Sequence, residues 1–207
     1  LKTLRHYFAE IGVFRDETFI HADLKKEPPH WVYRGLQADH VIFCEGVGMG
    51  ENPWFNCLPL TPAKGETLTL KCSTLELPRA IYHHRKWVLP YGDHTFRLGA
   101  TFDSDDTSPE PTEAGAKELL EAARSFIAPK HELCIQQHYA GLRPCTKDFR
   151  PFIGDHPTEA GLHIFNGLGS KGASLAPELI RQFLGYLLED EALDPEIDIA
   201  RCFEQAT

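Results

Sequence analysis

The residues best suited to chemistry lie in one segment, which holds an arginine and then a glycine-rich loop. Arg143 ends the run His138-Tyr-Ala-Gly-Leu-Arg143, which is typical of a short strand, and a turn punctuated by proline comes next. A second strand-like run, 162–166, leads into Gly167-Leu-Gly169-Ser170-Lys171-Gly172 at the start of an amphipathic helix. A guanidinium binds a carboxylate through two parallel hydrogen bonds, and free N–H groups at a helix start attract negative groups. The segment therefore predicts a site for an anionic ligand.

Both features also have an interpretation that needs no ligand. Arg143 is either a ligand-binding arginine or a structural arginine that pairs with Asp148 or Asp155. The glycine loop either presents backbone N–H groups to a ligand or is a flexible helix entry with Lys171 in solvent. The residues alone leave both alternatives open.

Two blocks of this segment resemble a known family. The wording AGLRP-x-T-x-D-x-x-P-x-IG, followed by G-x-G-x-x-G-x-x-x-AP, is similar to the C-terminal half of the FAD enzymes that include D-amino-acid oxidase, glycine oxidase and sarcosine oxidase. The blocks occur in the family's order and spacing. The resemblance covers about residues 30–203, roughly half of a family enzyme.

The resemblance implies a cofactor site at two glycine loops. It implies that the backbone of Gly167, Gly169, Ser170, Lys171 and Gly172 faces the pyrimidine edge of FAD, where the reduced flavin gathers negative charge. It also implies that an earlier loop with Gly46 and Gly48 passes along the cofactor. Cys145 does not fall at the position where some relatives attach FAD covalently, so we expect non-covalent FAD.

The resemblance also implies substrate and catalytic residues. Arg143 would bind the carboxylate of an amino-acid substrate, while Trp87 and Phe102 would line the pocket. Arg97 stands where sarcosine oxidase-like relatives carry a lysine that sits over the flavin and assists the reaction with oxygen. From the residues alone, Trp87 and Phe102 are equally typical of a strand core, and strict alternation puts Arg97 and Phe102 on opposite faces.

The chemistry implied is oxidation of a C–N bond. A hydride leaves the α-carbon of an amino acid or secondary amine for the flavin, and water hydrolyses the resulting imine. The sequence offers no Ser/His/Asp or paired-carboxylate motif, which agrees with a reaction that the cofactor carries.

The elements around these residues predict a mixed α+β fold, the C-terminal half of a two-domain flavoprotein. We predict strands at 14–23, 31–33, 38–44, 81–82, 86–91 and 95–102 and from residue 66 onward, with helices at 1–11, after the cap Thr112, and at 173–189. Pro177 is expected in the first turn of the last helix.

The domain assignment follows the resemblance. Residues 1–37 would end a substrate-domain segment, 38–57 would be the returning strand and glycine loop of the FAD-binding domain, 58–138 the antiparallel sheet and helix of the substrate domain, and 139–207 the C-terminal part of the FAD-binding domain. The N-terminal dinucleotide-binding βαβ unit is absent from this chain. Because the chain starts at Leu1 and its only methionine is Met49, we expect a piece of a longer protein, with the missing N-terminal half as its partner.

Composition argues against several function classes. A net charge of −9 over 207 residues, with scattered Lys and Arg, argues against nucleic-acid binding. No apolar run approaches the ~18 residues of a membrane span, and no signal peptide is evident. Six cysteines without a CxxC pair predict reduced thiols, a cytoplasmic location and no metal site. Cys44 and Cys134 adjoin apolar residues, so we expect both to be buried.

Two other functions stay open at this stage. One is the flavin module of a bifunctional tRNA wobble-uridine modification enzyme, whose relatives carry a similar GLGS-basic-G loop. The other is a non-catalytic domain of the same fold that serves as a binding or assembly module.

Overall fold

The first unit of the chain, Leu1–Val41, consists of one helix and a small antiparallel sheet. The structure is a computed structural model and describes residues 2–203. Helix α1 (Lys2–Glu10) stops before Gly12, whose φ of +75° is the left-handed conformation that terminates helices, as predicted. Strands β1 (Leu24–Glu27), β2 (His30–Tyr33) and β3 (Leu36–Ala38) follow in that order.

The strand predicted at 14–23 is wrong. That stretch is irregular and ends in a single 3₁₀ turn, His21–Asp23. Its apolar side chains stay partly in solvent, with Phe14 and Phe19 each 37% exposed. β-prone residues form a strand only where they find a cross-strand partner, and Phe19 instead stacks on the Tyr33 ring at 4.3 Å.

The second unit, Ile42–Thr207, is built on a five-stranded antiparallel sheet and a three-stranded sheet. The strands are β4 (Val41–Phe43), β5 (Ala63–Lys71), β6 (Tyr82–His84), β7 (Lys86–Gly92), β8 (Thr95–Gly99), β9 (Cys134–Arg143), β10 (Phe152–Asp155) and β11 (Leu162–Asn166). The helices are α2 (Glu113–Arg124), α3 (Gly172–Glu189) and α4 (Ala200–Phe203). This mixed α/β architecture confirms the predicted fold class.

The large sheet has the strand order β6-β7-β8-β5-β9, and helix α2 covers one of its faces. Alternation along the strands sends the large aliphatic side chains to that face. The buried residues of this core are Leu68, Leu70, Cys72, Val88, Phe96, Leu98, Leu119, Ala123 and Ile127. Thr112 caps α2 as predicted, because its hydroxyl accepts the Gly115 N–H at 3.0 Å.

The opposite face of the large sheet carries the polar and aromatic residues. One row across the strands joins Trp87, Gly99, Thr67 and Tyr139. The neighbouring row joins Leu89, Arg97, Thr69 and Gln137. Arg143, four residues after Tyr139 on β9, points to the same side. We call this side the arginine face.

The small sheet has the order β10-β11-β4, and α3 packs beside it. Strand β10 was expected to be a turn, because Pro151 and Pro157 flank it; it instead pairs antiparallel with β11 and buries Phe152 and Ile153. The run 38–44, predicted as one strand, is divided between β3 and β4, which belong to different sheets.

Helix α3 begins one residue earlier than predicted, and the positions of its proline and of its exposed leucines also differ from the prediction. Pro177 lies inside the helix rather than in its first turn, so one backbone carbonyl lacks its usual donor. Leu179 and Phe183 are buried against Ile153, as the apolar pattern predicts. The same helical spacing predicts that Leu175, Ile180, Leu184 and Leu188 also point inward, but they are 37–69% exposed. Within residues 2–203, no helix has both the length and the apolarity to cross a membrane.

Candidate functional site

Arg143 is the last residue of β9 and is held by backbone rather than by acid. Its Nη1 donates to the carbonyl of Lys64 at 3.0 Å, and its Nη2 donates to the carbonyl of Thr101 at 3.2 Å. Neither Asp148 nor Asp155, the partners of the structural alternative, contacts it. Two of the five guanidinium donors are therefore used, and three are left for another acceptor.

A glycine makes room for this arginine. Gly65 lies on β5, and a methyl group built on its Cα would overlap the Arg143 guanidinium. Directly across the strand pair, Gly141 has open space in front of it. Sequence reasoning missed Gly65, although a glycine inside a strand is a known signal for close approach by another group.

Phe102 joins Arg143 to the glycine loop. Strand β8 ends at Gly99, so the prediction of a strand to residue 102 is wrong and its alternation does not apply. The Arg143 Cζ atom lies 5.7 Å from the centre of the Phe102 ring. Phe102 in turn borders a cavity of about 200 Å³. The cavity is also lined by Cys145, Thr146, Phe149, Pro151, Gly167, Leu168, Gly169, Ser170, Lys171 and Leu175.

The glycine loop is only partly free to bind a ligand. The Gly169 N–H donates to the Pro144 carbonyl at 3.1 Å, and the Lys171 N–H donates to Leu168 at 3.2 Å. The loop can therefore offer the amides of Ser170 and Gly172, at the start of α3. Lys171 borders the cavity but is exposed.

Gly167 has a packing role of its own. Its φ is +76°, which favours glycine, and a Cβ atom there would lie 2.7 Å from the Thr146 side chain. This glycine is therefore required by the chain itself, whatever binds nearby.

The earlier glycine loop lies next to the second one. Residues Gly46–Glu51 form a short 3₁₀ helix rather than an open loop. The side-chain amide of Asn166, the residue before Gly167, donates to the Gly46 carbonyl at 2.8 Å. A Cβ atom at Gly46 would meet nothing within 4 Å, so this backbone is accessible. Gly48 lies in the same turn.

Trp87 and Arg97 lie elsewhere on the arginine face. The Trp87 indole covers Gly99, where an added Cβ would be 2.7 Å from it. The Arg97 Cζ atom lies 5.5 Å from the Tyr91 ring centre and 5.1 Å from that of Tyr139. Neither tyrosine was singled out from the sequence.

A buried lysine on the opposite face fixes the backbone that Arg143 contacts. The Lys64 side chain is 1% exposed, and its Nζ donates to Asp106 at 2.6 Å and to Ser108 at 3.0 Å. Its backbone N–H and carbonyl both bond to Asp103, at 2.6 and 3.0 Å. The Lys64 ammonium, with help from Ser108, lowers the pKa of Asp106 to about 2. Asp106 raises the pKa of Lys64.

Glu66, the other buried charged residue on β5, fixes the position of Thr101, whose carbonyl also contacts Arg143. Its carboxylate accepts the Thr112 N–H at 2.9 Å and the Thr112 hydroxyl at 2.7 Å, and His138 Nε2 lies 2.7 Å away. Burial raises the pKa of Glu66, but these contacts outweigh burial and lower it overall. The Glu66 backbone exchanges two hydrogen bonds with Thr101, at 2.8 and 3.1 Å. The two residues whose carbonyls contact Arg143, Lys64 and Thr101, are thus each held in place by further hydrogen bonds.

The cysteines divide into buried and exposed sets. Cys145 is buried beside Gly169; burial raises the pKa of its thiol, and Arg143 opposes the rise. Cys44 and Cys134 are exposed, so the expectation that they are buried is wrong. Over residues 2–203, no group of three or more His, Cys, Asp or Glu side chains could hold a metal ion.

Comparison with known proteins decides the family. The family model for FAD dependent oxidoreductases matches residues 2–180. The chain belongs to this family. The family resemblance of the two sequence blocks is thereby confirmed.

Relatives of the chain include glycine oxidases. Glycine oxidase of Bacillus subtilis is 29% identical over 165 residues, which cover 78% of this chain and 43% of that protein. A tRNA 5-methylaminomethyl-2-thiouridine biosynthesis bifunctional protein of Marinobacter nauticus is 32% identical over 176 residues, covering 75% of this chain and 27% of that protein.

Solved structures agree on the fold. Glycine oxidase from Geobacillus kaustophilus superposes with a TM-score of 0.68 at 22% identity, covering 86% of this chain and 50% of that one. This likeness concerns the fold alone. The chain thus spans about half the length, or less, of the relatives it matches.

Family membership implies FAD, and the residues present fit one part of it. Two glycine-containing segments lie side by side, Gly46 exposes its backbone, and the start of α3 can offer amides beside the Phe102 cavity. Such groups suit the polar edge of a flavin. The family's strand and fingerprint for the FAD pyrophosphate do not occur in these 207 residues.

Proposed function

We propose that this chain is the C-terminal half of an FAD-dependent enzyme that oxidises the C–N bond of an amino acid or secondary amine carrying a carboxylate. The observation that carries the proposal is Arg143. It is half-buried, two backbone carbonyls accept its hydrogen bonds, and no described residue among 2–203 supplies it with an acidic partner. An arginine placed in this way is ready for a carboxylate.

The residues of the chain position the substrate. Arg143 binds its carboxylate through two parallel hydrogen bonds, which fixes the α-carbon. Phe102 and Trp87 form apolar walls, and Arg97 adds a second positive charge to the same face of the sheet. Bound FAD would supply the acceptor for a hydride from the α-carbon, and the resulting substrate imine would be hydrolysed by water.

We assign the cofactor edge to the two glycine loops. Gly46 and Gly48 would run along the flavin, while Gly167, Gly169, Ser170, Lys171 and Gly172 would form the helix start that faces its pyrimidine edge. The raised pKa of the buried Cys145 thiol supports non-covalent FAD, because the thiolate is the nucleophile. The pyrophosphate would be bound by the N-terminal half of the full-length protein.

That N-terminal half is the proposed partner of the chain. An exposed apolar stripe on α3 supports it, because Ile180, Leu184 and Leu188 follow one another at helical spacing and are 46%, 46% and 69% exposed. We place the full-length protein in the cytoplasm, which six free cysteines support.

A second candidate is the flavin module of a tRNA modification enzyme, which the Marinobacter nauticus relative favours. A net charge of −9 favours a small-molecule substrate. Binding of tRNA to the full-length protein at physiological salt, together with oxidation of a modified tRNA base, would select this candidate. A non-catalytic domain of the same fold is the third candidate.

The test is a visible absorption spectrum of the full-length protein, followed by anaerobic addition of amino acids and secondary amines. We expect a bound-flavin spectrum that bleaches with amines that carry a carboxylate. A protein that stays colourless after addition of FAD would contradict the proposal and leave a non-catalytic domain.

A further inference from the structure

Arg97 is a second cation on the arginine face that has no acceptor. Its Nε atom is buried and has no hydrogen-bond partner. Within residues 2–203, the Arg97 side chain makes no ion pair and no hydrogen bond, and its guanidinium lies over the rings of Tyr91 and Tyr139. Aromatic faces stabilise a guanidinium, but they do not accept its in-plane N–H groups, and here the buried Nε–H is left unsatisfied.

The unsatisfied N–H donor of the half-buried Arg97 guanidinium favours binding of an anion at this point. A buried polar group without a hydrogen bond destabilises a fold, and a charged group does so more strongly. The strands offer no counter-charge on this side, because the residues of the Trp87 and Arg97 rows and the face positions Gly65, Gly141 and Arg143 include no Asp or Glu. These positions therefore present two guanidinium groups and no carboxylate. In the row beyond Arg97, the carboxylate of Asp93 lies 3.4 Å from the Lys71 ammonium and is paired with it.

The register of the sheet sets the spacing of the two guanidinium groups. That of Arg143 lies over Gly65 on β5. That of Arg97, which pairs with Thr69, reaches toward Tyr139, which pairs with Thr67. The two groups are thus separated by two to four residues along β5, roughly 7–13 Å at the usual strand rise.

This spacing suits one small molecule with two carboxylates. A carboxylate carbon lies about 4 Å from the guanidinium carbon that binds it. The span leaves up to about 5 Å between the two carboxylate carbons, which corresponds to one to three intervening atoms. An amine between two carboxylates, or an amino acid with an acidic side chain, has this length.

We propose that Arg97, between the rings of Tyr91 and Tyr139, is a subsite for a second carboxylate, and that the substrate is a dicarboxylic amino acid or amine. The inference rests on the proposed function, because Arg143 holds the first carboxylate. It gives Arg97 a role in binding rather than in the reaction with oxygen.

The test uses two inert probes, thiodiacetate and (methylthio)acetate. They differ in having two carboxylates or one, and each has sulfur in place of the amine nitrogen, so neither can form an imine. Dissociation constants are measured by calorimetry on the flavin-loaded full-length protein. The variants are Arg97→Met, Arg97→Lys and Arg143→Met, each checked for unchanged flavin content.

We expect thiodiacetate to bind the wild-type protein at least about tenfold more tightly than (methylthio)acetate. Arg97→Met should abolish that advantage and leave (methylthio)acetate unchanged, Arg97→Lys should restore part of it, and Arg143→Met should weaken both probes. Equal affinities in the wild-type protein, or an advantage that survives Arg97→Met, would overturn the inference. An Arg97→Met variant that changes only the reaction of reduced flavin with oxygen would do so as well.

The two proposals fail in different ways. If only the second-carboxylate subsite is wrong, both probes bind equally and monocarboxylic amines still bleach the flavin. If the proposed function is wrong, neither probe binds the wild-type protein and no carboxylated amine bleaches it.

Discussion

At the scale of single residues, the position of Arg143 depends on a glycine. Gly65 allows the Arg143 guanidinium to lie directly over β5, while Gly141, opposite it, faces open space. The two glycines are in paired strands and neither has a positive φ. Gly141 is therefore a suitable control for Gly65, because only Gly65 contacts the arginine.

Gly65→Ala is expected to lower kcat/KM for carboxylated substrates by about 10- to 100-fold, because the added methyl group displaces Arg143 and weakens a charge-assisted contact. Most of the loss should appear in KM. Gly141→Ala, with open space at the same level of the sheet, should change kcat/KM by less than about twofold. Steady-state kinetics on the full-length proteins makes the comparison. Equal losses in both variants would show that Gly65 has no specific role.

At the scale of elements, the arginine is positioned from the far side of the sheet. The side chains of Lys64 and Glu66 point away from the arginine face. Lys64 carries one of the two carbonyls that orient Arg143, and the Glu66 backbone bonds to the N–H and hydroxyl of Thr101, which carries the other. Lys64 links β5 to the segment 103–108, and Glu66 links it to the start of α2. The strand therefore separates the arginine on one side from buried ionic contacts on the other.

This arrangement predicts a sensitivity to acid. The pKa of Asp106 is depressed from 3.8 to about 2 in the folded state, mainly by Lys64. A depressed acid pKa stabilises the fold above the unfolded-state value, and that contribution is lost as the pH falls from about 4 toward about 2. Asp106→Asn should therefore flatten the pH dependence of the free energy of unfolding in this window.

Urea denaturation of the full-length protein at several pH values between about 2 and 5 measures the effect. Asp105→Asn is the control, because Asp105 is exposed beside Asp106 and its carboxylate has no partner among the described residues. If the free energy of unfolding of Asp106→Asn depends on pH as steeply as that of the wild type and of Asp105→Asn, the assignment of the Lys64–Asp106 pair is contradicted.

At the scale of the whole molecule, the sequence predicts the elements that depend on short-range patterns along the chain. The capped helix α2, the hairpin of β7 and β8, and the step from β11 through a glycine loop into α3 all follow from periodicity and turn residues. What the sequence does not predict depends on distant partners. Strand β10 exists because it pairs with β11, despite its flanking prolines, and the segment 14–23 lacks a strand because it has no such partner.

The candidate site divides in the same way. Arg143, Phe102 and the glycine loop were identified from the sequence. In the structure Phe102 and the glycine loop line one cavity, and Arg143 lies over the Phe102 ring. Gly65, Tyr91, Tyr139, Lys64 and Thr101 were not singled out, because their roles follow from the register of β5 with β8 and β9. Register is set by the pairing of residues far apart in the chain.

The central claim, that Arg143 holds a substrate carboxylate beside a flavin, is tested most directly by anaerobic flavin reduction in the full-length protein. The amine that reduces the flavin fastest is compared with the same amine carrying hydrogen in place of the carboxylate, in the wild type and in Arg143→Met. We predict that the carboxylated amine is preferred by about 100-fold in the wild type, and that Arg143→Met removes the preference by slowing this amine alone. A preference that persists in Arg143→Met, or none in the wild type, would contradict the account.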